Sequence, residues 1–548
     1  MKSLSSPIVL LSIVLAACGA PSTVATVPSP TPAPVIAPTR PAEVTSIPPV
    51  RMAEPPKNWQ LLDEKTDGVP GISANRAMNE LLQSKAPKQT VLVAVIDNGI
   101  DTLHADLRAN LWTDPSTGLH GWNFIGGADG KDVSFDTFEV TREYARCHGK
   151  AAASGSPPIT DAAKCAELDA AFAKQRASIE KTVQNYREVN DVMQKILPLL
   201  AQAARVPADS LTPERVRAVQ VTNPQITQAR QIFLELASEG ATPSVIADGL
   251  KSLEGQLEHS LNPDFNPRTI VGDDYPNTAQ RNYGNRDVMG TDAKHGTHVA
   301  GIIGAVRGNN VGIDGIAPAV KIMMIRTVPD GDERDKDVAN AIRYAADHGA
   351  KIISMSFGKG YSPYKPAVDE AIKYADAKGV LMIHAAGNDA ADLAKGHNFP
   401  TPDYTGGGRP QNWIEVGASS WKGGDSLAAP FSNYGDKLVD VFAPGVDILS
   451  TVPGNEYERD SGTSMAAPVV TGLAALLMDY YPNLSASDIR KIILASVTRL
   501  GGQSVIQPRS GDQPEKRVPF GTLSVTGGIV NAYNAVRMAE ELSAKARP

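Results

Sequence analysis

Val91-Leu92-Val93-Ala94-Val95-Ile96 is an unbroken apolar run, β-branched in part, that leads into Asp97. A strand with one face in water alternates polar and apolar residues. A run with no polar position therefore reads as a strand buried on both faces, as in a parallel sheet covered by helices. Similar runs recur at Lys321 to Ile325, Ile352 to Met355, Val380 to Ile383 and Trp413 to Val416. Helical patterns lie between them, as at Val338 to His348 and Ala367 to Lys378. This alternation predicts an α/β fold with a mostly parallel central sheet. Ligand sites of open α/β sheets sit at the carboxyl ends of the strands, which directs attention to Asp97.

The 548 residues exceed the usual ceiling for one hydrophobic core, so an addition to the α/β body is expected. Residues 140–268 break the strand–helix alternation. Within them Leu168, Phe172, Ile179, Val183, Tyr186, Met193, Ile196 and Leu200 recur mostly at three- to four-residue steps, the pattern of one long amphipathic helix. Thr212-Pro213, Asn223-Pro224 and Thr242-Pro243 each place a capping residue before a helix-starting proline. The segment reads as a helical insertion within the α/β domain, which itself spans residues 57–548.

The first residues have the form of an export signal: Lys2 supplies positive charge, Ile8 to Leu15 are apolar, and small residues follow. That apolar stretch is too short for a permanent membrane span. It ends in Leu15-Ala16-Ala17-Cys18, which resembles the lipobox of bacterial lipoproteins. The resemblance implies that residues 1–17 are a signal peptide and that Cys18 is lipidated and begins the mature chain. It implies an exported, lipid-anchored protein of the cell envelope. Gly19, where an aspartate would resemble an inner-membrane retention signal, points to the outer membrane if the source has one. Residues 18–56 are rich in Pro, Thr, Ser, Ala and Val, and read as an extended tether.

A net charge of −7 argues against a nucleic-acid partner, which would call for a basic face. Three cysteines are too few for a zinc cluster. In an oxidising compartment Cys147 and Cys165, at the entrance to the insertion, are expected to form a disulfide, with two unpaired thiols as the alternative.

Three separated stretches carry chemistry. Asp97-Asn98-Gly99-Ile100-Asp101 follows the first strand. His295-Gly296-Thr297-His298 leads into a small-residue helix, as does Gly462-Thr463-Ser464-Met465-Ala466-Ala467-Pro468. Amide hydrolysis by a hydroxyl needs a base for the serine proton and a carboxylate to hold the imidazole in the right tautomer. Asp97, His295 and Ser464 offer one of each. The two histidines alone could be a metal pair, but no adjacent carboxylate supports that.

Together these motifs resemble the subtilases, the subtilisin-like serine proteases. The resemblance runs from about Val91 to Ala535 outside the insertion. It includes Gly315-Ile316-Ala317-Pro318, Ser354-Met355-Ser356-Phe357-Gly358, Phe431-Ser432-Asn433-Tyr434-Gly435 and Val441-Phe442-Ala443-Pro444-Gly445. It implies a subtilisin-like three-layer fold and hydrolysis of protein or peptide substrates by an acyl-enzyme route, with no cofactor in the chemistry. Asp97, His295 and Ser464 match the family's triad, and Asn388, in Ala385-Ala386-Gly387-Asn388, matches its oxyanion donor. Ser356, Phe357 and Gly358 would pair with an extended substrate, and Ala385, Ala386 and Gly387 would line the pocket for the residue before the scissile bond.

The resemblance also raises a structural calcium, with Asp106 and Asn309 as ligands. Asp330, Asp332, Glu333 and Asp335 crowd a loop beside the upstream subsites, where a solvated acidic loop is expected ahead of selection for basic side chains. The rival functional reading is a catalytically silent envelope lipoprotein that uses the fold to bind peptides or a partner.

Overall fold

The computed structural model describes residues 46–545 except 222, 239, 240 and 512. The signal peptide, Cys18 and most of the tether lie outside the described residues. The chain divides into two compact units, one comprising residues 140–153 and 158–265, the other the remaining described residues.

The larger unit is built on a nine-stranded sheet: β1 Val91–Asp97, β2 Gly121–Asn123, β3 Val320–Arg326, β4 Ile352–Met355, β5 Leu381–Ala385, β6 Trp413–Ser419, β7 Val441–Pro444, β8 Thr498–Arg499 and β9 Gly528–Ile529. Their spatial order is β8-β9-β7-β6-β5-β4-β1-β3-β2. Every pairing is parallel except β8 with β9. β1 lies between β3 and β4, with Asp97 opposite Arg326 and Val93 opposite Ile352.

The period of two along β1 explains its unbroken apolar run. Val93 and Val95 join the core on one side of the sheet, with Val299 of the helix Lys294–Gly304 and Met465, Val469 and Leu473 of the helix Thr463–Tyr480. Ala94 and Ile96 join the core on the other, with Val338 and Ile342 of Asp335–Asp347 and Ala371 and Ile372 of Lys365–Ala377. Each residue removes apolar surface from water on one face or the other, so no polar position is tolerated. The helix Thr463–Tyr480 is apolar and long enough to cross a bilayer, yet 94% of it is buried inside the protein, as a core helix should be.

Ile47 is buried, its N–H donating to Gln503 Oε1 at 2.8 Å, and Val50 N–H donates to the Lys422 carbonyl at 2.8 Å. The stretch read as the end of a tether is thus bonded to the body from Ile47 onward.

The smaller unit contains a 43-residue helix, Ala162–Ala204, capped by Asp161, whose carboxylate accepts from the N–H groups of Ala163 and Lys164. Leu168, Phe172, Ile179, Val183, Met193, Ile196 and Leu200 are buried along it, and Tyr186 is partly buried. Met193 and Leu200 share a core with Val216, Phe233 and Ile246 of the shorter helices. Thr212 and Thr242 cap their helices by accepting from Arg215 N–H and Val245 N–H. Cys147 and Cys165 are joined by a disulfide, with Cα atoms 5.7 Å apart.

Candidate active site

Asp97 ends β1 and is fully buried, so its carboxylate is held at the carboxyl edge of the sheet. Its Oδ1 lies 2.8 Å from His295 Nδ1 and also accepts from Asn98 N–H at 2.7 Å. His295 is the second residue of the helix Lys294–Gly304, and its side chain keeps 34% of its exposure. The approach depends on Gly296: a Cβ there would collide with the Gly99 carbonyl and crowd Asp97. Asn98 Oδ1 accepts from Gly296 N–H at 2.9 Å, and Thr297 Oγ1 accepts from Asp101 N–H at 2.8 Å. The two motifs are therefore laced together by bonds from main-chain N–H groups to side chains as well as by the pair itself. Burial alone would lower the His295 pKa, but the charge and hydrogen bond of Asp97, reinforced by Asp460 and Asp292, raise it to about 9.

His298, the second histidine of the motif, is not a metal partner. It is buried, and its Nε2 lies 3.1 Å from the carbonyls of both Ile448 and Glu458, tying the helix to the hairpin formed by Ile448–Val452 and Glu456–Asp460.

Ser464 is the second residue of the helix Thr463–Tyr480, where the first N–H groups have no intrahelical acceptor and the dipole favours negative charge. Its hydroxyl donates to the Ser356 carbonyl at 3.0 Å, while Ser356 Oγ donates to the Ser464 carbonyl at 2.9 Å. Asn388 Oδ1 accepts from Thr463 N–H at 2.9 Å and from Thr463 Oγ1 at 3.0 Å. That fixes the amide so that its Nδ2 points away from Thr463.

Ser356–Gly358 and Ala385–Gly387 follow β4 and end β5, adjacent parallel strands. Asn398 bridges them. Its Nδ2 donates to the Ala385 carbonyl at 2.9 Å, and its side chain lies where a Cβ on Gly358 would be. Gly387 has φ +100°, and a Cβ there would collide with Asn433 Nδ2. Thr463, Asn398 and Asn433 carry no local sign of these roles; each acts on a segment far away in sequence.

Asp106 and Asn309 do meet, but as hydrogen-bond partners. Asn309 Nδ2 donates to Asp106 Oδ1 at 2.6 Å, and its Oδ1 accepts from Val311 N–H. Asp106 Oδ2 accepts from Ile313 N–H and Tyr457 OH. Calcium requires six to eight converging oxygens. Here an amide nitrogen faces the carboxylate, and among the described residues no group of three or more His, Cys, Asp or Glu converges for a metal. A calcium site at Asp106 and Asn309 is therefore not shown.

The acidic loop departs from expectation only in part, for Asp330 is exposed and Asp332 partly so. Glu333 and Asp335 are buried rather than solvated. Lys359 Nζ lies 2.8 Å from Asp335 and 2.6 Å from Glu139, and Arg334 grips both oxygens of Asp136. Burial pushes the Glu333 carboxyl up to about 8 against the pull of Lys359. Glu333 and Asp335, neutralised in this way, do not offer an anionic surface to a basic substrate residue.

A parallel α/β sheet carries a carboxylate–imidazole pair at one strand end, and Ser464 lies in the first turn of a helix whose first residue, Thr463, is bonded to Asn388. Residues 88–511 match the subtilase family, and the chain belongs to it. It is 39% identical over 241 residues to the "Thermophilic serine proteinase" of Bacillus sp. (strain AK1), covering 44% of this chain and 54% of that protein. It is 35% identical over 293 residues to fervidolysin of Fervidobacterium pennivorans, covering 48% and 38% respectively. It is 34% identical over 316 residues to thermitase of Thermoactinomyces vulgaris, covering 57% of this chain and 95% of that protein. The chain thus spans about half or less of the length of the first two relatives and nearly all of the third.

Proposed function

We propose that this protein is a serine endopeptidase that hydrolyses peptide bonds through an acyl-enzyme. The observation that carries the reading is the 2.8 Å contact between the buried Asp97 carboxylate and His295 Nδ1. It fixes the tautomer that leaves Nε2 as the base. Ser464 Oγ turns from the Ser356 carbonyl to give its proton to Nε2 as it attacks the scissile carbonyl. The oxyanion takes hydrogen bonds from Asn388 Nδ2 and from Ser464 N–H. His295 then returns the proton to the leaving amine, and water repeats the sequence to release the acid. The substrate lies along Ser356–Gly358 as an added strand, with one side chain between that segment and Ala385–Gly387.

The lipobox supports a second element of the proposal: export, acylation of Cys18 and attachment to a cell-envelope membrane, the outer one if the source has one. Fluorophosphonate labelling tests the catalytic reading. The wild-type protein should be labelled at Ser464 and cleave peptides, and Ser464→Ala should do neither while unfolding at nearly the same temperature. Peptide cleavage persisting in Ser464→Ala would sink the assignment.

A further inference from the structure

A second buried carboxylate–imidazole pair stands behind the substrate-facing segments. His384 is fully buried in β5, directly before Ala385. Its Nδ1 lies 2.9 Å from Glu415 Oε1 and its Nε2 lies 2.9 Å from the Phe357 carbonyl oxygen. A carbonyl oxygen only accepts, so Nε2 carries a proton and donates it. Nδ1 and the Glu415 carboxyl therefore share one proton between them. Glu415 Oε2 accepts from Trp413 Nε1 at 2.9 Å, and its backbone N–H donates to Asp440 Oδ2 at 2.9 Å. The imidazole also packs beside the Phe357 and Trp413 rings. Every polar end of the pair is thus engaged, the condition under which a buried network is rigid.

The pair joins the two walls proposed to flank the substrate side chain. Phe357 is the central residue of Ser356–Gly358, and His384 precedes Ala385–Gly387. Asn398 bridges the same two segments from another side, and Ser356 is hydrogen-bonded to Ser464 in both directions. Losing the Nε2 proton donor would leave the Phe357 carbonyl without its partner and release one wall from the other.

We propose that His384, held by Glu415, is a positioning residue that sets the spacing between Ser356–Gly358 and Ala385–Gly387, and so governs which side chain the pocket accepts. The proposal rests on the peptidase reading above. His384 differs from His295 in that a main-chain carbonyl caps its far nitrogen, so it holds the site without exchanging protons with substrate.

His384→Phe keeps a ring and removes both nitrogens. With a peptide anilide carrying a large apolar residue before the scissile bond, KM should rise about tenfold, the scale of one lost hydrogen bond. The kcat should stay within about twofold, because the interaction acts on binding rather than on the transition state alone. The preference for large over small side chains at that position should flatten. Labelling by a small fluorophosphonate, which needs only the triad and the oxyanion donors, should keep its rate. Glu415→Gln donates an amide proton to Nδ1 and leaves Nε2–H in place, so it should retain the wild-type KM.

Unchanged KM and side-chain preference in His384→Phe would overturn the proposal, as would an equal KM shift in Glu415→Gln. If His384→Phe does not fold, the Nε2–H proton resonance of the wild-type protein decides. It should shift when a peptide aldehyde fills the pocket, and an unmoved signal refutes the role. Failure of the peptidase reading shows differently, as a wild-type protein that takes no fluorophosphonate.

Discussion

Asn388 and Thr463 are joined across 75 residues of sequence by two hydrogen bonds, from the Thr463 N–H and hydroxyl to one Asn388 oxygen. The amide cannot turn over without losing both, so Nδ2 is presented in advance of any substrate. Asn388→Ala should lower kcat by about 10²–10³, a magnitude measured for the equivalent change in subtilisin itself rather than derived from this geometry. Thr463→Val keeps the N–H but removes the hydroxyl, which also accepts from Gly387 N–H at 3.1 Å. It should cost about tenfold in kcat. The double variant should be no slower than Asn388→Ala, because both changes act on one group. Steady-state kinetics on one peptide anilide checks all three; fully additive losses would separate Thr463 from the amide.

The raised pKa of His295 sets the pH dependence. In its proposed role as general base it must be neutral, so kcat/KM should climb with pH along a limb centred near 9. Asp97→Asn removes the charge that raises it, so the limb should move to lower pH while activity falls by about 10⁴. Stability runs the other way. The folded pKa lies above the unfolded value of about 6.5. The protonated pair therefore contributes fully below pH 6.5, and its contribution fades as pH rises through 9. Thermal melts of Ser464→Ala, which avoid self-digestion, should show a lower midpoint at pH 10 than at pH 6. The difference should shrink in a Ser464→Ala, Asp97→Asn double variant.

The Cys147–Cys165 disulfide closes a loop with a sequence separation of 18. Replacing both cysteines with serine should cost the smaller unit about 3 kcal/mol through the freed entropy of its unfolded chain. That unit has its own apolar core, and Asp97, His295 and Ser464, the proposed triad, lie in the other unit. Cleavage of a small peptide anilide should therefore survive. Proteolysis of the variant should begin within residues 140–265; cleavage starting instead in the sheet would show that the two units do not unfold separately.

The proposed lipid attachment rests on Cys18. Cys18→Ser should move the protein from the detergent phase to the aqueous phase, or block its maturation, because no other acyl site is proposed. Unchanged partitioning with normal processing would exclude the anchor.

The residues that form elements locally were legible in the sequence. The apolar run of β1 announces a strand covered on both faces, and Thr212 and Thr242 announce helix starts with the partners they cap three residues on. The proposed triad and Asn388 were picked out through motifs, since the proposed chemistry requires those residue types in characteristic surroundings. The tertiary structure alone decided how distant groups meet. It turned Asp106 and Asn309 into a hydrogen-bonded pair, neutralised Glu333 and Asp335 by burial beside Lys359, and bonded Ile47 to Gln503 across what read as a tether. It also set His384 between Glu415 and Phe357. The physical reason is range. Periodicity and capping act within a few residues and leave a pattern in the chain, whereas a buried polar group chooses its partner by where strands and helices bring it.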